Sequence, residues 1–438
     1  MQQRKLVLIT LMVAAITFAT AAYAAPAVSV DVAAADNAFG FRLLNAVQKS
    51  APNSNTILSP VSAALDLSMV LNGATGQTRQ EMLDALSLSG ADLDAIDAAN
   101  ARLLKLIRTP PKDIDLWVAN SLWVNDQRAR FRPDYLQRTR ASYDTNVDAL
   151  DFSSPDAAHR INDWADKQTH GRISNVIDRL DATEVALLLN AVYFKGQWAH
   201  RFDESRTHPA DFTLAGGTVE QVPRMAESGE FDYLETPDLQ AIGLPFGTGD
   251  LAHGSSDRAA SEGTPSGGEG IPSGDGLVME VILPSRSSTL SALESQLTPE
   301  HWALWKAQHV RRSGTIELPR FELKAKYPLN EALQALGMKR VFHADGGDGA
   351  QLDDMLAPVT GQKAARSFYV SSVIQSAYWK VNEAGAEAAA VTSTHIRMAT
   401  AVRRTQPFQM IVDRPFFCAI EDQRSGALLF VGAVYDPR

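Results

Sequence analysis

Nine histidines and a single cysteine, Cys418, are the side chains with which this 438-residue chain could carry out metal or nucleophilic chemistry, and their spacing supports neither. His159 and His170 stand eleven residues apart and His200 and His208 eight, whereas two ligands on one face of a helix recur at about three or four. No Gly-x-Ser-x-Gly elbow, His-Glu-x-x-His pair, phosphate-binding Gly-x-x-x-x-Gly-Lys loop or Cys-x-x-Cys pair occurs. A Ser/His/Asp site gathered from distant positions is defined by geometry rather than by order, so it stays open, but no motif points to one. The histidines are read as structural or surface residues, and neither a metal nor another cofactor is expected.

The residues that invite a functional reading are the small ones of Val381-Asn382-Glu383-Ala384-Gly385-Ala386-Glu387-Ala388-Ala389-Ala390-Val391-Thr392-Ser393-Thr394. Taken alone, the alanines favour helix. Yet every second position, Ala386, Ala388, Ala390, Thr392, Thr394, Ile396 and Met398, is small or apolar, and the interleaved Glu387, Ala389, Val391, Ser393, His395 and Arg397 are more polar overall. That is the period of a strand with one face for burial and one for solvent. Side chains this small could enter a packed sheet, and a segment committed to no single structure could exist both as an exposed loop and as a strand. An alanine-rich linker fits the same residues.

The elements that must position this segment follow from periodicity. Helical patterns fill the N-terminal third. Thr78 and Glu81 have the spacing of a capping box at the head of a helix through Met82, Leu83 and Leu86. Ser154-Pro155 opens another through Ile161 and Trp164, which Gly171 can close. From Val185 onward short apolar runs predict strands: Leu187-Leu188-Leu189, Val278 to Leu283, Thr315 to Leu318 and Leu428 to Val431, with a further β-rich run from Tyr369 to Val381. The predicted class is α+β, without the regular alternation of a parallel βαβ sheet. Residues 247 to 276 stand apart, because 16 of these 30 positions are Gly, Ser or Pro and no apolar period runs through them. They are predicted to be a disordered surface loop inserted in one domain spanning 25–438. The flanking runs Leu244-Pro245-Phe246 and Val278 to Pro284 look like neighbouring strands of one sheet, which favours a loop over a linker between two domains.

Arg4 and Lys5 precede an uncharged apolar run from Leu6 to Thr20 and then Ala22-Tyr23-Ala24, the pattern of a secretory signal peptide cleaved after residue 24. The run is short for a bilayer span, which needs about 20 residues. Secretion is therefore expected, to the periplasm or beyond the cell. Loss of Arg4 and Lys5 leaves 39 basic against 51 acidic residues, a net charge of −12, which argues against nucleic acid or an anionic membrane as a main partner. With one cysteine, an exported fold has no intramolecular disulfide and depends on its core.

Glu383-Ala384-Gly385-Ala386-Glu387-Ala388-Ala389-Ala390 closely resembles the reactive-loop hinge of the serpins. Asn55-Thr56-Ile57-Leu58-Ser59-Pro60-Val61-Ser62 looks like the serpin segment leading into the second helix, and Gly73-Ala74-Thr75-Gly76-Gln77-Thr78 like the turn after it. Asn162, Trp164, Thr169, Gly171 and Ile173 match the helix that crosses the main sheet, and Leu189-Asn190-Ala191-Val192-Tyr193-Phe194-Lys195-Gly196-Gln197-Trp198 a strand and turn near-diagnostic of the family. Leu318-Pro319-Arg320-Phe321, Leu336-Gly337-Met338, Asp413-Arg414-Pro415-Phe416 and Leu429-Phe430-Val431-Gly432 complete a resemblance over about residues 36 to 437.

The resemblance implies a serpin fold of three β-sheets and about eight or nine helices, with an exposed reactive-centre loop over 384–406. It implies a monomeric suicide inhibitor, not an enzyme. The target serine protease attacks the loop, becomes acylated, and is trapped as the loop inserts into the main sheet. A non-inhibitory carrier, chaperone or substrate is the rival within the family, which the small residues of the hinge disfavour. Ser59, Ser62 and Asn190 match the family's shutter cluster, where Gln375 stands at a position many members give to histidine, and Trp198 falls at the breach where insertion begins. The family's usual count from Glu383 places the cleaved bond between Ala399 and Thr400, suited to elastase-like or subtilisin-like proteases. Counting back from Pro415 allows Arg403 or Arg404, suited to trypsin-like enzymes, and Arg397 is a third basic candidate.

Overall fold

The computed structural model of the chain describes residues 30–111, 114–143, 145–247, 276–344, 349–359, 368–386 and 406–438. Among the described residues the helices are α1 (Val32–Ser50), α2 (Pro60–Leu71), α3 (Gly76–Ala85), α4 (Leu93–Ile107), α5 (Pro133–Tyr143), α6 (Ala157–Gln168), α7 (Leu290–Glu294), α8 (Pro299–Ala307) and α9 (Asn330–Ala335). The strands are β1 (Thr56–Leu58), β2 (Ile114–Asn125), β3 (Ala129–Phe131), β4 (Asn146–Leu150), β5 (Ala186–Gln197), β6 (His208–Thr213), β7 (Val219–Glu235), β8 (Leu239–Pro245) and β9 (Leu277–Pro284). They continue as β10 (Val310–Pro319), β11 (Phe321–Pro328), β12 (Leu356–Pro358), β13 (Val370–Val381), β14 (Gly385–Ala386), β15 (Phe408–Ile411), β16 (Phe416–Asp422) and β17 (Ala427–Val434).

Three sheets result. The six-stranded sheet runs β11-β13-β5-β2-β4, with β14 attached to the end of β5. The nine-stranded sheet runs β1-β17-β16-β9-β8-β7-β10-β15, with β6 beside β7, and β12 pairs β3 in a third. Strands β9, β16 and β17 are buried at every residue, Glu280, Glu421 and Asp422 included, as strands covered on both faces are. β5 shows two faces. Ala186, Leu188, Val192 and Phe194 join the main core shared with α1, α2 and the nine-stranded sheet. Leu187, Leu189, Ala191 and Tyr193 join a second core beneath α6.

All four expected strand runs lie in strands, and the run from Tyr369 coincides with β13 within one residue. β8 and β9 are antiparallel neighbours, with Pro245 opposite Val278 and the Phe246 amide donating to the Leu277 carbonyl at 2.9 Å. The chain thus leaves and re-enters one sheet on either side of the Gly/Ser-rich stretch, whose residues 248–275 lie outside the described ones, as do the leader 1–24 and the expected loop from Glu387 to Thr405.

Two helix starts differ from expectation. α3 begins at Gly76 after Thr75, not at Thr78. The amide of Gln77 donates to the side-chain oxygen of Gln351 at 2.9 Å, while Thr78 Oγ1 accepts from the Gln351 amide at 3.1 Å. The cap is supplied by a residue more than 270 positions away, which satisfies the orphan first-turn amide. Glu81 accepts from the amides of Lys339 and Arg340 instead of its own helix. Ser154-Pro155 sits in the turn before α6, which starts at Ala157. At its other end the Gly171 amide reaches the Asp166 carbonyl at 2.9 Å with φ +81°, a left-handed closure that glycine adopts readily.

Candidate functional site

The small-residue segment leaves the six-stranded sheet where two of its strands part. β5 and β13 run side by side in parallel, in register from Leu187/Ser372 to Tyr193/Tyr378 after a shift of one residue between Val370 and Ser372. Beyond Tyr378, β13 follows β11 to the Phe321/Val381 pair, and the end of β5 is free to take a different neighbour. That neighbour is β14, antiparallel, with Gly385 opposite Gln197 and Ala386 opposite Gly196.

A tight turn returns the chain onto β5. Asn382 Oδ1 accepts from the amides of Ala384 at 3.0 Å and Gly385 at 3.2 Å. Gly385 has φ +139°, and a Cβ there would lie 2.1 Å from the Gly196 carbonyl oxygen, so the close approach demands glycine. Trp198 holds the turn from beneath. Its Nε1 donates to the Asn382 carbonyl at 2.8 Å, its amide donates to the Ala384 carbonyl at 3.1 Å, and its ring stacks on Phe246 at 4.4 Å. Glu383 is buried, accepting from Arg320 and from the Thr207 hydroxyl, while the Phe202 amide donates to its carbonyl at 3.0 Å. A buried carboxylate of this kind requires such partners. Ala386 is fully buried and faces the main core.

Farther down, the structure brings Ser59, Ser62, Asn190 and Gln375 together under the β5–β13 seam. The Gln375 amide group is fully used. Its oxygen accepts from the Ser59 amide at 2.9 Å, and its nitrogen donates to the Ser59 carbonyl at 3.0 Å and to Asn190 Oδ1 at 2.8 Å. Asn190 Nδ2 donates to Ser62 Oγ and to Asn120 Oδ1, and Ser62 Oγ donates to the same oxygen at 2.9 Å. One hydrogen bond, Gln375 to Asn190, therefore ties the two strands together through side chains at a fully buried position, with nothing in it that titrates near neutrality. Among the described residues the Ser59 hydroxyl has no hydrogen-bond partner.

Three participants escaped the sequence reading. Asn120 was legible, since in β2 the even positions Ile114, Leu116, Leu122 and Val124 join the main core, and a polar residue in that series must find partners. Arg320 lies in the Leu318-Pro319-Arg320-Phe321 motif with nothing local to mark it as a partner of Glu383, and Thr207 carries no local signal. Ala399, Thr400, Arg397, Arg403 and Arg404, and hinge residues Glu387 to Ala390, lie outside the described residues. Burial pushes the Cys418 thiol well above its usual range, so the lone cysteine is an inert core residue.

The profile of the family described as "Serpin (serine protease inhibitor)" matches residues 34–437. The chain is 31% identical to "Serine protease inhibitor 42Dd" of Drosophila melanogaster over 396 residues, covering 89% of this chain and 94% of that protein. It resembles the crystal structure of Serpin48, described as a highly specific serpin of the insect Tenebrio molitor, with a TM-score of 0.75 and 25% identity over 93% of this chain and 98% of that one. Human thyroxine-binding globulin, solved with its ligand, shares the fold with a TM-score of 0.76 and 21% identity, over 93% and 98%.

Proposed function

From the premise that this chain belongs to the serpin family, whose members are in general protease inhibitors, we propose that it is an exported serine protease inhibitor. It captures its target as an acyl-enzyme and inserts the cleaved loop between β5 and β13. The observation that carries this reading is the seating of Gly385 and Ala386 on β5, antiparallel and in defined register.

Continuing that register down β5 sets Ala388, Ala390, Thr392 and Thr394 on the core face. Glu387, Ala389, Val391 and Ser393 then fall toward α6. Thr392 comes opposite Asn190, whose neighbour on β13 is Gln375, so its hydroxyl can take over the hydrogen bond that parting the strands breaks. Residues 386 to 396 cover β5 as far as Ala186, and at ~3.3 Å per residue they span roughly 36 Å. Residue 399 is then carried just past the far end of the strand.

The chemistry up to that point is ordinary proteolysis. The target's serine Oγ attacks the Ala399 carbonyl, the bond to the Thr400 nitrogen breaks, that nitrogen takes a proton, and an ester joins Ala399 to the protease. Insertion then competes with hydrolysis of the ester. A small Ala399 suits elastase-like or subtilisin-like targets, and cleavage after Arg397, Arg403 or Arg404 would assign a trypsin-like one. Asn382, Glu383, Gly385, Trp198 and Arg320 act as the hinge anchor, and Ser59, Ser62, Asn120, Asn190 and Gln375 as the cluster that opens. Export rests on the charged, apolar and small-residue pattern ending at Ala24, and N-terminal sequencing of the exported protein should begin at Ala25.

Incubation with a panel of serine proteases tests the mechanism. The expected result is an SDS-resistant complex, release of a C-terminal peptide beginning at Thr400, and a higher thermal midpoint for loop-cleaved protein. Cleavage without a complex would make the protein a substrate, and equal melting curves before and after cleavage would remove insertion from the mechanism.

A further inference from the structure

The last closed row of the β5–β13 seam is aromatic on the side facing α6. Trp117 of β2, Tyr193 of β5 and Tyr378 of β13 are successive cross-strand neighbours. The Trp117 and Tyr193 rings lie 5.0 Å apart, and Tyr193 and Tyr378 stack at 6.0 Å with 16° between planes. Among the described residues this is the one ring pair that bridges the two strands. Below it the same face of the seam has no ring, with Ala191, Leu189 and Leu187 on β5 opposite Ser376, Ile374 and Ser372 on β13. Above it the strands have already separated around β14.

The chain that follows α6 braces this row. His170 at φ +50° and Gly171 at φ +81° turn it sharply. The His170 ring packs 4.2 Å from Trp117, and the Arg172 guanidinium lies 6.0 Å from the centre of the Tyr378 ring while also hydrogen bonding to Tyr193. On the far side the Tyr378 hydroxyl donates to Glu322 at 3.1 Å, and Lys380 pairs with that carboxylate at 3.0 Å. Burial pushes the Tyr378 phenol up to about 12, so it stays a donor. Arg172 thus interacts with both tyrosines that must move apart for a strand to pass.

We propose that the Tyr193–Tyr378 stack, clamped by Arg172, is a latch that an incoming strand must open first and that sets the rate of insertion. Arg172 and Tyr378 are positioning residues that never contact the target protease. This rests on the insertion mechanism proposed above. A weak latch lets the loop enter fast enough to outrun deacylation but also lets the uncleaved loop slip in, and a strong one turns the inhibitor into a substrate. Aromatic stacking beyond simple burial and a cation over a ring each correspond to a rate factor of about two to ten.

The test uses the intact protein and a synthetic peptide with the sequence of residues 386–398, whose annealing into the sheet is followed on native gels, alongside the stoichiometry of inhibition with a protease that wild type traps. Arg172→Gln, at an exposed residue, and Tyr378→Val should each anneal the peptide about three to ten times faster than wild type. Tyr378→Phe, which loses only the bond to Glu322, should fall between. Phe212→Leu, in the buried core of the other sheet, should leave annealing unchanged. Rates within twofold of wild type for both Arg172→Gln and Tyr378→Val, equal acceleration by Phe212→Leu, or no annealing by any form would overturn the latch. Because annealing needs no protease, accelerated annealing in a protein that traps nothing keeps the latch and discards the trapping mechanism. Trapping with unchanged annealing rates does the reverse.

Discussion

Replacing Ala386 with Arg strikes the first residue that the proposed insertion must bury. Ala386 is fully buried, faces the main core and lies opposite Gly196. The space above Gly196 is already filled by rings: a Cβ built there would lie 2.8 Å from Phe194 and 3.1 Å from Phe246. Of the two carboxylates nearby in the chain, Glu383 is committed to Arg320 and Thr207, and strand alternation would turn Glu387 to the opposite face of the inserted strand. A guanidinium at 386 would find neither room nor a partner, and an unpaired buried charge costs several kcal/mol. In the intact protein the variant can retract its two-residue β14 and lose little. The inserted state has no such escape, so the cost falls on the insertion step. Taking about 3 kcal/mol, insertion slows by a factor of roughly 150. Acylation thirteen residues away should hardly change, so deacylation wins and the variant is turned over at the same bond. Wild type and Ala386→Arg should be mixed with the same protease, and the SDS-resistant complex and the cleaved chain quantified against time. A variant whose ratio of complex to cleaved product stays within threefold of wild type would refute the assignment of Ala386 as the leading buried residue.

Gln375→Leu strands the Ser59 amide, the Ser59 carbonyl and Asn190 Oδ1 at a buried position. At about 1–3 kcal/mol per unmet buried group, a loss of about 3 kcal/mol or more is expected in urea unfolding, and a loss below about 1 kcal/mol would mean that water replaces the amide. Burial pushes the Glu294 carboxyl up to about 7, opposed only by the Tyr435 hydroxyl at 3.1 Å. A carboxyl raised in the fold favours its protonated form, so its contribution is lost as pH rises from about 4.5 through 7. Glu294→Gln should match wild type at pH 4 and gain up to about 3 kcal/mol at pH 8, and a pH-independent difference would refute this. Deleting residues 250–274 should leave folding and inhibition nearly intact, because Pro245 and Val278 are already neighbours. Loss of soluble, folded protein would show that the segment is structural.

Much of the scaffold was written in local pattern. The buried strand β17 could be read from an unbroken apolar run, β9 from an apolar run broken only by Glu280, and β13 from a β-rich run ending where the small residues begin, because backbone periodicity and burial are set by near neighbours along the chain. The alternation from Ala386 onward indicated which side chains could be buried, and family motifs carried the rest of the topology. α3 shows the limit. Thr78 and Glu81 have the spacing of a capping box, yet both bond to distant backbone, and Gln351 caps the helix instead. A capping signal states what a residue is able to bond, and the partner that reaches it first is decided by packing.

The sequence by itself determined the α+β class, the family, the absence of an intramolecular disulfide, and a segment small enough to join a sheet. Only the tertiary structure decided what that segment would have to displace. Gln375 and Asn190 are separated by 185 residues and hydrogen bond only because two parallel strands were laid side by side. Arg320 reaches Glu383 across 63 residues and Thr207 across 176. The stacking of Tyr193 on Tyr378 is likewise a consequence of register. Parallel pairing between remote strands leaves no trace in the periodicity of either, since each alternates its faces the same way whatever lies beside it, and so the barrier to opening the sheet is a property of the fold.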